Sequence, residues 1–257
     1  MKQTKRILVC EDEEAIRDFV VIHLKRAGYD VTATRNGEEA LKAFDAAETI
    51  AAKSEGRGHY DIALLDIMMP GPPERQGDQI CKILREKSST IGIIMLSAKS
   101  QEMDKVNSLM GGADDYITKP FSPSELMARV DAAYRRVAFM KASAGEVAAV
   151  EEETAPDVVS GVFKVNAKSR TVDKNGVTLD LTQVEFQIMD FFIRNEGVAL
   201  DRKRILLQIW GDSYFGDEKI VDVNVRRLRM KIEEDPSTPL YIQTVWGFGY
   251  KWVSDEA

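Results

Sequence analysis

Five side chains with carboxylate, hydroxyl or ammonium groups each stand at the end of a short apolar run. Glu11 and Asp12 follow RILVC, Asp66 closes DIALLD, Ser97 closes IGIIMLS, and Lys119 follows DYIT. If those runs are neighbouring strands of one parallel sheet, their ends share one edge and the five groups share one pocket. Three carboxylates there would repel one another without a cation, and a hard divalent ion with oxygen ligands, Mg²⁺ above all, suits them. A carboxylate can attack phosphorus and form an acyl phosphate. An ammonium and a hydroxyl beside it would neutralise and donate to phosphoryl oxygens. Taken singly, each residue reads as a helix cap or a loop; their joint placement at successive strand ends points to chemistry.

The elements that must position these groups follow from periodicity. Helical patterns at Glu14–Arg26, Gly37–Ala47, Gln79–Lys87, Gln101–Met110 and Ser124–Val137 alternate with strand runs at Arg6–Cys10, Asp30–Arg35, Asp61–Asp66, Ile91–Ser97 and Asp115–Thr118. Five βα units predict an α/β, doubly wound parallel sheet with helices on both faces. In such sheets ligands sit at the carboxyl ends of the strands. This domain is expected over 1–137, followed by an Ala-, Glu- and Ser-rich linker over 138–159. From 160 to 257 the pattern changes. Strand pieces at Phe163–Asn166, Thr171–Asp173 and Val177–Asp180 precede Thr182-x-x-Glu185, a capping box that opens a helix. Helices at Asp201–Trp210 and Lys219–Glu234 and a hairpin at Tyr241–Val253 complete an α+β helix-turn-helix unit with a wing.

Composition narrows the function classes. The chain has 257 residues, 44% of them hydrophobic and 30% charged, which suits two globular domains. No apolar run approaches the ~20 residues of a membrane span. The opening MKQTKRILVCEDE lacks a signal-peptide core, so a cytoplasmic protein is expected. Cys10 and Cys81, in apolar surroundings, read as reduced core residues. His23 and His59, the two histidines, lie in unlike contexts, which argues against a His-based zinc site or triad. The net charge of −7 sits mainly in the linker region, and residues 160–257 are close to neutral. Any nucleic-acid contact must therefore come from local clustering.

Lys219–Glu234 provides such a cluster. Val221, Val225, Leu228 and Ile232 form one apolar stripe for the core. At about 100° per residue the opposite face carries Lys219, Val223, Arg226, Arg227 and Met230, flanked by Asn224 and Arg229. A helix this basic on its outer side suits a DNA major groove. Arg can grip guanine there, and Val223 can touch a thymine methyl. A solvated basic face is the plainer alternative for an isolated helix, and the helix-turn-helix context weighs against it.

These residues resemble a known family. Glu11-Asp12-Glu13 after RILVC, LLDIMMP around Asp66, MLSAK around Ser97 and GADDYITKPFSPSEL around Lys119 look like the flavodoxin-like (βα)₅ receiver domain of two-component response regulators. The resemblance implies that Asp66 takes a phosphoryl group from a phosphohistidine on a sensor kinase. It implies Mg²⁺ on Glu11, Asp12, Asp66 and the Met68 backbone carbonyl, and phosphoryl contacts from Lys119 and Ser97. Tyr116 matches the aromatic that moves on activation. Residues 160–254 resemble the winged-helix output domain of the OmpR/PhoB subfamily, nearest its OmpR-like branch, strongly in VDVNVRRLRMKIEEDPSTPLYIQTVWGFGYKWV. By that likeness Lys219, Asn224, Arg226, Arg227 and Arg229 contact DNA and Thr244 contacts phosphate from the wing. Trp246 stands where many members carry an arginine. Trp210–Glu218 matches a loop that meets RNA polymerase. Lys105 with Glu125, and Asp115 with Arg129, sit where the subfamily forms ion pairs between subunits, on the fourth-helix, fifth-strand and fifth-helix face. The implied protein is a switch, not an enzyme. Phosphorylation would favour a homodimer that places two recognition helices on a direct-repeat operator.

The segments 48–60 and 72–76 are longer than is usual for the family, and the second lies beside Asp66. They keep open a regulator that works without phosphorylation. A haloacid-dehalogenase-like phosphatase also uses an Asp nucleophile with Mg²⁺, but needs a second Asp two residues on. Here that position is Met68.

Overall fold

A computed structural model describes residues 5–53, 58–69, 72, 76–98, 111–144, 157–211, 214 and 217–254. The chain divides into two units, Met1–Val137 and Ala138–Ala257. In the first, the apolar runs are strands: β1 (Arg6–Cys10), β2 (Asp30–Thr34), β3 (Ile62–Asp66), β4 (Gly92–Ala98) and β5 (Asp115–Lys119). They pair in parallel in the order β2-β1-β3-β4-β5, the flavodoxin-like winding. Helices α1 (Glu14–Arg26), α2 (Gly37–Lys53), α3 (Gly77–Lys87) and α4 (Pro123–Ala144) connect and flank the sheet. The strands β1, β3 and β4 are buried on both faces, which is why they read as continuous apolar runs, while the edge strand β2 stays partly exposed. On one face Ile7, Val9, Leu64, Ile94, Leu96 and Ile117 pack against Val20, Leu24, Leu126 and Val130.

Two boundaries differ from expectation by more than two residues. Helix α2 runs to Lys53 rather than Ala47, because Ala47 and Ala51 continue the buried stripe begun by Ala40 and Phe44. Part of the long 48–60 segment is thus helix, tied by a 2.6 Å contact from His59 Nδ1 to Glu48. Helix α4 likewise extends past Val137 to Ala144, into the segment expected as linker. The expected helix 101–110, linker residues 145–156 and turn residues 73–75 lie outside the described residues.

The second unit begins with an antiparallel four-stranded sheet of β6 (Val158–Ser160), β7 (Phe163–Asn166), β8 (Thr171–Lys174) and β9 (Val177–Thr178). Three helices follow, α5 (Gln183–Arg194), α6 (Arg202–Trp210) and α7 (Lys219–Ile232). Strands β10 (Ala199–Asp201), β11 (Ile242–Val245) and β12 (Gly249–Trp252) form a second antiparallel sheet in the order β10-β12-β11. Helix α5 starts at the expected capping box, with the Thr182 side chain accepting from the Glu185 N–H. The core joins both sheets to the helices. Trp252 packs edge-on to Phe163 at 5.2 Å and donates its indole N–H to Ser160 at 2.8 Å. Strands β6 and β10 escaped the sequence because three residues cannot display a period of two. Among the described residues no helix is long and apolar enough to cross a membrane.

Candidate functional site: an acidic pocket and a basic helix

The order β2-β1-β3-β4-β5 reverses direction between β1 and β3, and the acidic residues lie at the carboxyl ends of those two strands. Glu11 and Asp12 follow β1, and Asp66 is the last residue of β3. Arg17, one turn into α1, donates to the backbone carbonyls of Glu11 and Asp12, both at 3.0 Å, and so pins the acidic loop. On the other side the start of α3 presses against β3. A Cβ on Gly77 would lie 1.9 Å from the Asp66 carbonyl oxygen, so only glycine fits there. Register brings the rest in: β4 pairs Ser97 with Thr118, and Ala98 with Lys119 of β5.

The pocket thus gathers Glu11, Asp12, Asp66 and Lys119, and Ser97 is the next residue of β4 after Leu96, the register partner of Asp66. The Lys119 ammonium lies 2.8 Å from Asp66 Oδ2 and 2.7 Å from Glu11 Oε2. Glu11, Asp66 and Ser97 are buried, while Asp12 is partly exposed. Burial, with help from the Asp66 charge, pushes the Glu11 carboxyl up to about 7 even though Lys119 pulls it down. Burial opposes the Lys119 ammonium, yet its bonds to Asp66 and Glu11 raise its pKa overall. The nearby Cys10 thiol is pushed up to about 12 by burial, which keeps it protonated.

Oxygens of Glu11, Asp12 and Asp66 lie within 4.8 Å of one another. An all-oxygen donor set open to solvent through Asp12 fits a hard divalent cation that keeps several waters. The Met68 side chain points outward, 59% exposed, and its N–H reaches Asp66 Oδ1 at 3.3 Å. Tyr116 is buried.

Three of the residues expected at a subunit interface are paired within the single chain. Arg129 Nη1 lies 3.0 Å from Asp115, and Nη2 lies 3.2 Å from Glu125, one helical turn away. Asp115 and Arg129 are both buried, and within one chain they pair with each other; Lys105 lies outside the described residues.

Helix α7 also departs from expectation. Lys219, Arg226 and Met230 are exposed, as the helical wheel predicts. Val223, Asn224 and Arg227 are buried. Arg227 forms an ion pair with the fully buried Glu185 at 2.9 Å, and the Asn224 amide donates to the Ile220 carbonyl at 2.8 Å. The apolar stripe marks one buried face, but α7 also packs against α5 and α6 and is tied to β11, which covers more than one side. Arg229 is half-buried and turned to the wing, donating to the Ile242 carbonyl at 3.0 Å and to Thr244 Oγ1 at 3.0 Å. Asp222 joins the same junction, accepting from Arg202 at 2.7 Å and Tyr250 at 2.6 Å. At the wing tip Trp246 is 92% exposed. The expected polymerase loop starts on a buried residue, since Trp210 is 1% exposed and packs near Tyr214. Residues 212–213 and 215–216 of that loop lie outside the described residues.

Sequence reasoning missed Arg17, Gly77 and the helix-clamping role of Glu185. Arg17 carried a faint signal as a lone basic residue between Glu14 and Asp18, and Glu185 was visible only as a cap.

Comparison with known proteins follows the same division. Residues 7–131 match the family model "Response regulator receiver domain", and residues 176–252 match "Transcriptional regulatory protein, C terminal". "Sensory transduction protein RegX3" of Mycobacterium tuberculosis is 39% identical over 246 residues, which span 95% of this chain and 97% of that protein. "Uncharacterized transcriptional regulatory protein YcbL" of Bacillus subtilis is also 39% identical over 246 residues, 95% of this chain and 98% of its own length. A solved structure of a RitR mutant shares the fold at a TM-score of 0.66 and 22% identity. The match covers 96% of this chain and 98% of that one.

Proposed function

Because this chain belongs to the OmpR/PhoB-type response regulators, phosphorylation-dependent transcriptional regulators that join a receiver to a DNA-binding domain, we propose that Asp66 is its phosphoacceptor. The observation that carries this reading is the convergence of Asp66, Glu11 and Lys119 within 2.8 Å contacts at the switch point of the sheet. One Asp66 oxygen attacks the phosphorus of a phosphohistidine on a sensor kinase. The P–N bond breaks, its electron pair stays on the imidazole, and an acyl phosphate forms. Lys119 then gives up part of its hold on Asp66 and pairs with the phosphoryl oxygens, and Ser97 donates a hydrogen bond to one of them. Glu11, Asp12, Asp66 and the Met68 carbonyl would hold Mg²⁺, which offsets the negative charge gathered around phosphorus. No carboxylate stands two residues after Asp66, because that position is the outward-facing Met68. The second Asp that a haloacid-dehalogenase-like phosphatase needs is therefore missing, which favours a switch over that reading.

The output follows from the added charge. Phosphorylation brings roughly −1.5 to −2 charges into a buried site, enough to bias a bistable surface. We take that surface to be β5 and α4, where Asp115, Glu125 and Arg129 re-pair across a homodimer. Two copies of α7 then meet a direct-repeat duplex, with Lys219 and Arg226 toward the major groove and the wing, at Thr244 and Trp246, toward the backbone. A polymerase contact, if carried by this region, falls on the exposed Asp217 and Glu218 rather than on Trp210.

The test is sedimentation and DNA binding of the full chain with and without the phosphoryl mimic beryllofluoride, using a duplex the chain has selected from a random pool. Dimer formation with tighter binding is expected. Unchanged self-association and unchanged affinity would sink the switch.

A further inference from the structure

One carboxylate of the second unit serves two helices at once. Glu185 is 0% exposed. Its Oε2 accepts the Thr182 backbone N–H at 2.8 Å and so closes the capping box of α5. The same oxygen takes the Lys231 ammonium at 2.7 Å, while Oε1 faces the Arg227 guanidinium at 2.9 Å. Both cations belong to α7 and stand four residues apart. Arg227 also reaches Asn224 Oδ1 at 3.4 Å, and Asn224 is bonded to the Ile220 carbonyl. A single polar chain therefore runs along α7 from Ile220 to Lys231 and is anchored at the start of α5.

Such a buried set adds little net stability over an apolar replacement of equal volume. What it adds is direction. Apolar packing is non-directional, whereas one buried carboxylate facing two cations a turn apart on α7 favours a single rotation of that helix. The exposed Lys219 and Arg226 ride on the same helix, so the way they face is set by the rotation that Arg227 and Lys231 hold.

We infer that Glu185 is a positioning residue for sequence recognition, fixing the rotation of α7 separately from its capping role. This rests on α7 being the recognition helix. Glutamine also serves at the third position of a capping box, so Glu185→Gln keeps the cap and removes the charge. Thr182→Ala does the reverse.

The test uses the full chain, a duplex selected by the wild type from a random pool, and a scrambled duplex of equal composition. Anisotropy gives the ratio of the two affinities, and melting reports stability. Glu185→Gln should lower the ratio at least tenfold while scrambled-duplex affinity holds. Thr182→Ala should lower the melting temperature and leave the ratio within twofold. Should Glu185→Gln not fold, Arg227→Met removes the α7 charge that faces Glu185 while leaving Glu185 and its cap in place, and is expected to lower the ratio in the same direction. A Glu185→Gln ratio within twofold of wild type overturns the proposal, as does an equal loss in Thr182→Ala, because the effect would then track stability. Arg226→Ala is the control. If it leaves both affinities unchanged, α7 is not the recognition helix and the proposal falls with that reading. If it weakens binding while Glu185→Gln changes nothing, the positioning claim alone fails.

Discussion

The acidic pocket and the basic helix are built from equally suggestive residues, yet the sequence predicts the geometry of the first far better than that of the second. In the pocket, Glu11, Asp12, Asp66 and Lys119 converge as expected. On α7, the expected DNA-contacting residues Val223, Asn224 and Arg227 are buried, and Arg229 is turned to the wing. The difference is geometric. A residue at the carboxyl end of a parallel strand has its location fixed by topology, whatever packs nearby. A residue on a helix has its face fixed only after every neighbour of that helix is known. Charge on a helix is thus ambiguous between reaching a ligand and holding the helix still, and α7 uses Arg227 and Arg229 for the second.

The sharpest way to break the comparison is to disturb each region at a glycine where backbone passes backbone. Gly77→Ala places a Cβ against the Asp66 carbonyl, and Gly249→Ala places one 2.1 Å from the Leu200 carbonyl of β10. Each is expected to cost about 3 kcal/mol or more, read by denaturant unfolding. Gly77→Ala should abolish phosphoryl uptake and spare DNA binding by the second unit, and Gly249→Ala should do the opposite. Loss of both functions in either variant would show that the two sites are not separately built.

Next in size is Arg227→Ala. It leaves Glu185 with Lys231 alone, and breaking a buried pair is expected to cost about 3 kcal/mol. Unchanged stability with weakened DNA binding would return Arg227 to the contact face and contradict the internal pairing. Mg²⁺ offers a similar effect on the first unit. A cation at a hundred times its Kd should stabilise the fold by about 2.7 kcal/mol, raising the melting temperature. Asp12→Ala should remove that rise. An equal rise in both proteins would place the cation elsewhere. The smallest expected effect on the fold is that of Arg226→Ala, which should leave melting unchanged. It should lower the slope of log affinity against log salt by about 0.9, the value of one phosphate contact on duplex DNA. A steady slope with a shifted melting temperature would make Arg226 structural.

Much of this molecule is legible from its residues. The apolar runs RILVC, DIALLD and IGIIMLS are strands because both faces of a parallel sheet are covered, and their polar ends are the pocket. The capping box at Thr182 marks the start of α5. What the residues alone do not show depends on tertiary partners. Strand β10 exists because Ala199–Asp201 pairs with Gly249–Lys251. The α2 extension exists because Ala47 and Ala51 find a surface to cover. The inward turn of Arg227 and Asn224 follows from Glu185, forty-two positions away from Arg227, which the sequence displays only as a cap. Asp115 and Arg129 likewise pair within the chain because β5 and α4 bring them together, a closeness that spacing alone does not reveal.

The central claim is that the Asp66 carboxylate accepts phosphorus, and intact mass after incubation with acetyl phosphate and Mg²⁺ tests it most directly. The wild-type chain is expected to gain one phosphoryl group, lost again on treatment with hydroxylamine, while Asp66→Ala gains none. A phosphoryl adduct that persists in Asp66→Ala would contradict the account.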